Sequence, residues 1–144
     1  MNMFIFVVDF NFKIMEKEKY FIPEIEDIYS GYEYEVRRND GKWERVTEFS
    51  NDYDYEDNPH YAIMKDIKIG KIRVPYLTKE QIENEGWEFT EQINNRLYFR
   101  KGAFVLTFED DYINIDNTKG QDIGYWGKCK DINTFRYICK LLEI

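Results

Sequence analysis

From Leu77 onward the apolar positions follow clear periods, and they predict most of the second half of the chain. Thr78 and Gln81 form a capping box, Leu77 and Ile82 stand at hydrophobic-staple positions, and Gly86 follows the last helical residue, where a left-handed backbone favours glycine. A short helix over 79–85 is predicted. Alternating runs at 87–92, 96–100, 103–109 and 112–116 then read as strands, with separators 93–95, 101–102 and 110–111 of hairpin length. Consecutive hairpins make an antiparallel meander. Residues 123–129 read as one more strand after a polar loop. Ile132, Phe135, Ile138, Leu141 and Leu142, three to four residues apart, predict a closing helix capped by Asp131 or Asn133.

The first half is less regular. Residues 3–8 are β-branched and aromatic and read as a buried strand, and Phe10, Phe12 and Ile14 alternate with polar residues as if that strand left the core for an edge. Around Pro23, residues 16–30 suggest a weak helix or an irregular connection. Runs at 32–38 and 43–49 flank Asp40-Gly41, a strong local hairpin signal. Ile67, Ile69, Ile72 and Val74 predict a strand with a bulge or turn at Gly70, ended by Pro75. The expected fold class is α+β, an antiparallel β-meander sheet packed against two helices of the C-terminal half, with an N-terminal strand and β-hairpin. With 144 residues the chain is expected to form a single domain, 1–144, and the stretch 50–60 is where a seam would fall.

Composition narrows the function more than the fold. Isoleucine, asparagine, lysine, phenylalanine and tyrosine are abundant while alanine and proline are scarce, the bias of AT-rich codons, so the 18% aromatic content is not by itself a sign of stacking platforms. The net charge of −8 repels nucleic-acid phosphates, and no direct nucleic-acid binding is expected. The basic groupings, Arg37-Arg38 and Lys65, Lys68, Lys71 and Arg73, read as solvated strand positions. Two cysteines, Cys129 and Cys139, suit a reducing compartment, with a disulfide between them left open. The run at 3–8 is too short to span a membrane and lacks the flanks of a signal peptide, so a cytoplasmic protein is expected, with no membrane partner.

Candidate chemistry is sparse. His60, the single histidine, reads as a loop exit and offers no histidine-based metal triad. Asp52, Asp54 and Glu56 fall at positions one, three and five of a calcium loop, but Asp57 and Ile63 stand where Gly and a bidentate Glu are needed. Asp110 and Asp111 are adjacent carboxylates at a strand turn, where Asp is common. Gly120, Gly124 and Gly127 match no phosphate-binding pattern, and Ser30 and Ser50 lie in no nucleophile elbow. No metal, cofactor or catalytic residue is predicted. The remaining unusual stretch interleaves Tyr53, Tyr55 and Tyr61 with Asp52, Asp54, Glu56 and Asp57, and no Lys or Arg occurs between Arg45 and Lys65. It reads as an exposed loop, and tyrosine contact area beside acidic steering suits docking on a basic protein surface.

The run Val-Pro-Tyr-Leu-Thr-Lys-Glu-Gln-Ile-Glu-Asn-Glu-Gly-Trp over 74–87, with the aromatic hairpins and the closing Asp-Ile-Asn-Thr-Phe-Arg-Tyr-Ile-Cys-Lys-Leu-Leu helix, resembles small uncharacterised acidic proteins of AT-rich phages related to gut Bacteroidetes phages. The resemblance covers 74–142 and brings no activity with it. The expected role is a non-catalytic accessory protein that binds a host or phage protein through an acidic, tyrosine-bearing surface at Asp52, Tyr53, Asp54, Tyr55, Glu56, Asp57 and Tyr61. A small-ligand protein sequestering a nucleotide signal, and a minor enzyme with converging carboxylates, are the alternatives. Exposed sheet edges would allow a homo-oligomer.

Overall fold

The computed structural model describes residues 19–29, 31–47, 59–119 and 124–144, with backbone alone for 59–62. The expected strand at 3–8 lies outside them. Two antiparallel sheets and three α-helices make up the described chain, an α+β fold. The first sheet has β1 (Tyr20–Phe21), β2 (Tyr34–Arg37), β3 (Trp43–Val46) and β4 (Ile72–Pro75) in the order β1-β4-β2-β3. The Asp40-Gly41 hairpin forms as expected, with Gly41 at φ +83° and the Lys42 N–H donating to Asp40 Oδ1 at 2.9 Å. The connection before it is irregular, a single 3-10 turn at Ile25–Asp27.

The predicted strand through Ile67 and Ile69 is instead the end of a helix, α1 (Pro59–Lys68). Gly70 is its C′ residue at φ +74°, where the Gly70 N–H donates to the Ile67 carbonyl and the Lys71 N–H to the Asp66 carbonyl, the two bonds of a Schellman motif. The alternation of Ile67 and Ile69 is therefore coincidental at a helix end, whereas Ile72 and Val74 form β4 and Pro75 ends it as expected. Ile63, fully buried, and Ile67, one turn later, supply the helix's apolar face, while Ile69 is exposed. Lys65 and Lys68 accordingly belong to a helix, not to a strand. His60 lies in its first turn, not at a loop exit.

The second half follows its pattern closely. Helix α2 (Lys79–Asn84) opens on the expected capping box, with the Gln81 N–H donating to Thr78 Oγ1 at 3.2 Å and the Thr78 N–H to Gln81 Oε1 at 3.1 Å. A five-stranded meander follows, in chain order: β5 (Glu88–Ile93), β6 (Arg96–Lys101), β7 (Phe104–Glu109), β8 (Tyr112–Asn117) and β9 (Tyr125–Lys128). Asn94 and Asp110 take positive φ in its turns, at 55° and 53°. Gly124 has a different reason: a Cβ there would come within 2.5 Å of the Ile115 carbonyl oxygen. Helix α3 (Ile132–Leu141) closes the chain and lays Ile132, Phe135 and Ile138 on the sheet with Ile82 of α2.

The apolar core divides into two clusters, one under the first sheet with α1 and one between the meander, α2 and α3. The chain passes from one to the other at Val74 to Leu77. There the Leu77 N–H donates to the Lys130 carbonyl at 2.7 Å, a backbone bond that joins the two layers, while the Tyr76 N–H extends the β1–β4 pairing to the Lys19 carbonyl at 3.0 Å. Among the described residues no helix is long and apolar enough to cross a membrane.

Candidate functional site at the junction of the two sheets

Polar groups concentrate where the start of α3 meets the chain entering β2. Asn133, only 3% exposed, reaches across to the backbone of Glu33: its Oδ1 accepts the Glu33 N–H at 2.7 Å, and its Nδ2 donates to the Glu33 carbonyl at 2.9 Å. The side-chain amide thus replaces a missing strand neighbour. The same Nδ2 donates to Asp131 Oδ2 at 2.8 Å, and the Thr134 hydroxyl donates to Asp131 Oδ1 at 2.6 Å. Every donor and the carbonyl oxygen of Asn133 are used, as a buried amide requires.

On one side of this bridge lies a cavity of about 210 Å³ lined by Glu33, Glu35, Arg45, Glu85 and Arg136. Its carboxylates converge from two elements, β2 with its entering residue Glu33 and the C-terminal end of α2, the kind of convergence an acid/base enzyme would need. The arginines answer them: Arg45 Nε lies 2.5 Å from Glu33 Oε1, Arg136 Nη1 2.8 Å from Glu33 Oε2, and Arg136 Nε 2.6 Å from Glu85 Oε1. Glu35 pairs with Arg73 at 2.7 Å, and that guanidinium is stacked between the rings of Tyr20 and Trp43, 3.6 and 4.0 Å from their centroids. Burial pushes the Glu33 carboxyl up, but hydrogen bonds and charge from Arg45 and Arg136 outweigh it and hold the group below the ordinary glutamate value. A carboxylate so held is a poor proton donor near neutrality. The arginines, already engaged, offer little to a phosphate.

This geometry has a consequence for acid stability. A carboxyl whose folded value is depressed stabilises the fold at pH above its unfolded value of 4.5, and that contribution is lost as pH falls through the lower folded value. Urea midpoints measured between pH 7 and pH 3 should therefore fall more steeply for the parent than for Glu33→Gln below about pH 4.5. Parallel curves would show that the two arginines do not stabilise the ionised form.

On the other side of the bridge is a cavity of about 310 Å³ with a different wall, rings and acids. Tyr29 and Tyr32 meet edge to face at 5.5 Å, Phe21 and Tyr137 complete the aromatic lining, and Glu26, Asp27 and Asp131 supply carboxylates. The Tyr29 hydroxyl donates to the Asn133 carbonyl at 3.2 Å. Burial raises both tyrosine hydroxyls, and the negative field of Asp131 raises them further, with Asp27 adding to it at Tyr32.

The residues singled out in the sequence are not the ones assembled here. Asp52, Tyr53, Asp54, Tyr55, Glu56 and Asp57 lie outside the described residues, and Tyr61 stands on α1 rather than in a loop. Helix α1 packs against the 3-10 turn that carries Glu26 and Asp27, so the acidic stretch leads into an element beside the aromatic cavity. Asp110 and Asp111 stay at the β7–β8 turn, where the Asp111 carbonyl accepts the Cys129 N–H at 2.6 Å. Cys129 and Cys139 are free and buried, and burial pushes both thiols up, away from nucleophilic or redox use. Among the described residues no group of three His, Cys, Asp or Glu side chains is placed to hold a metal ion.

Glu33, Asn133, Arg45 and Arg136 carry no local signature that marks them as partners, since the bridge joins residues 100 positions apart. Asp131 was legible only as a helix cap. Comparison with protein-family models, curated proteins and solved structures finds no match to this chain.

Proposed function

We propose that this is a non-catalytic accessory protein that binds a basic protein partner, with its acidic and tyrosine-bearing surface as the contact. The observation that carries the reading is the junction itself: the carboxylates that converge in the charged cavity are neutralised by arginines, while Glu26, Asp27 and Asp131, beside Tyr29 and Tyr137, form no ion pair among the described residues. The first arrangement is structural and the second is available. Exposed tyrosines give contact area at low entropic cost, and unneutralised acids favour a cationic surface through both rate and orientation. The net charge of −8 and the acidic run from Asp52 to Asp57 support the same sign of partner. Two free, buried cysteines support a reducing, cytoplasmic setting.

Affinity capture from the source cell, followed by calorimetry with each purified candidate, tests the reading. A saturable complex is expected, with an on-rate that falls as salt rises because exposed charges are screened over about 8 Å at physiological ionic strength. Replacing Asp52, Asp54, Glu56 and Asp57 by Asn and Gln should remove most of that salt dependence while leaving thermal stability nearly unchanged. Failure of every purified candidate to bind would reject the proposal.

A further inference from the structure

Asp131 is only 3% exposed, yet no ion pair engages it among the described residues. Among the described residues its two carboxylate oxygens accept hydrogen bonds from neutral donors, the Asn133 amide and the Thr134 hydroxyl. A carboxylate taken out of water is ordinarily paired with a cation, because neutral hydrogen bonds return only part of the lost hydration. As N-cap of α3 it gains a partial positive charge from the helix N-terminus, and no more. Among the described residues Asp27 and Glu26 likewise form no ion pair, and Lys130 is the one cation on the cavity wall.

Lys130 shows how the wall receives a cation. Its ammonium lies over the Phe21 ring, 4.4 Å from the centroid, in the geometry of a cation–π contact. The cavity beyond is about 310 Å³, with Tyr29 and Tyr137 both about half exposed at its mouth and Tyr32 buried. Rings that present negative faces, with carboxylates behind them, are the chemistry that selects an alkylammonium. Three carboxylates against one lysine leave the wall net negative.

From this arrangement we infer that the cavity between the 3-10 turn and the start of α3 receives the ammonium of a lysine side chain presented by a basic peptide of the partner. The inference rests on the proposed protein-binding role and names the group that the site recognises. The lysine ammonium enters between Tyr29 and Tyr137 and settles near Asp27 and Asp131, its methylene stem against the rings. Arg45 and Arg136, on the far side of the Asn133 bridge, take no part.

The test uses the full chain, labelled with ¹⁵N, and two octapeptides, one alternating lysine with glycine and one with glutamine at each lysine position. Amide shifts on adding the lysine peptide should cluster at 21–32 and 130–137, and the glutamine peptide should cause none. Tyr137→Ala and Asp27→Asn should each weaken binding about threefold or more, the scale of one exposed cation–π or charge contact. Both side chains are at the surface of the site, and melting temperatures will show whether each variant folds. Lys130→Gln, which removes the resident ammonium, should tighten binding, whereas Lys42→Gln, an equal change of charge in the β2–β3 turn, should tighten it less. Shifts scattered over the acidic surface, or unchanged affinity in folded Tyr137→Ala and Asp27→Asn, would overturn the inference. A purified partner that binds the parent and both variants equally would overturn it while leaving the proposed function standing. Lysine-peptide binding at the cavity with no protein partner found would do the reverse.

Discussion

Replacing Asn133 by aspartate should destabilise the fold by about 3 kcal/mol, the cost of stranding buried polar groups and opposing two carboxylates. The change is nearly isosteric, so packing is preserved and the effect isolates the amide. Nδ2 now donates to the Glu33 carbonyl and to Asp131 Oδ2. A carboxylate oxygen in its place donates to neither, and it faces both a carbonyl oxygen and a second carboxylate in a site that is almost closed to water. With unfolding entropy near 2 cal/mol/K per residue, the melting temperature should fall by roughly 10 °C. The pH dependence separates this cause from simple loss of contact. Protonation of the new carboxyl restores one donor, so the gap between Asn133→Asp and the parent should narrow as pH falls from 7 toward 4. Calorimetric melting at the two pH values checks both statements. A loss under 1 kcal/mol at pH 7 would mean that the bridge does not join the two layers energetically.

Phe135→Ala should cost about 3–5 kcal/mol, the range for emptying a large buried aromatic site. Phe135 has no exposed surface and packs with its ring centroid 6.1 Å from that of Trp87, in the cluster where α3, α2 and the meander meet. The surroundings resist collapse. Fully buried Phe99, Leu106 and Ile115 are held by paired strands, and Ile82 by a capped helix, so little can move in to fill the space. Phe135→Leu, which keeps most of the volume, should lose much less. Urea denaturation of the three proteins gives the comparison, and the slopes of ΔG against urea should remain equal if the fold is intact. Equal midpoints for Phe135→Ala and the parent would place α3 away from the core.

Both substitutions lie within four residues of Asp131, yet they probe separate things, one the polar face of α3 and one its apolar stripe. The stripe was readable in the sequence because Ile132, Phe135 and Ile138 repeat at the helical period, and a helix that must bury one face shows that period directly. The polar face was not.

The sequence by itself determined the elements whose causes are local. The capping box of α2 spans four residues, the Asp40-Gly41 turn two, and the meander follows from short alternating runs with hairpin-length separators; in each case the interacting groups are near neighbours in the chain. Helix α1 marks where that reading ends. Gly70 is equally favourable in a strand bulge and at a helix C′ position, and only the burial of Ile63 with Ile28, Tyr34 and Val74 decides for the helix. Tertiary structure alone decided the site. Which of 28 acidic residues is held by arginines and which is left without a cation depends on contacts between residues up to 103 positions apart, and neither charge pattern nor periodicity carries that information. The junction exists because two separately formed sheets must close against each other there, and the polar backbone of that seam has to be satisfied from across it.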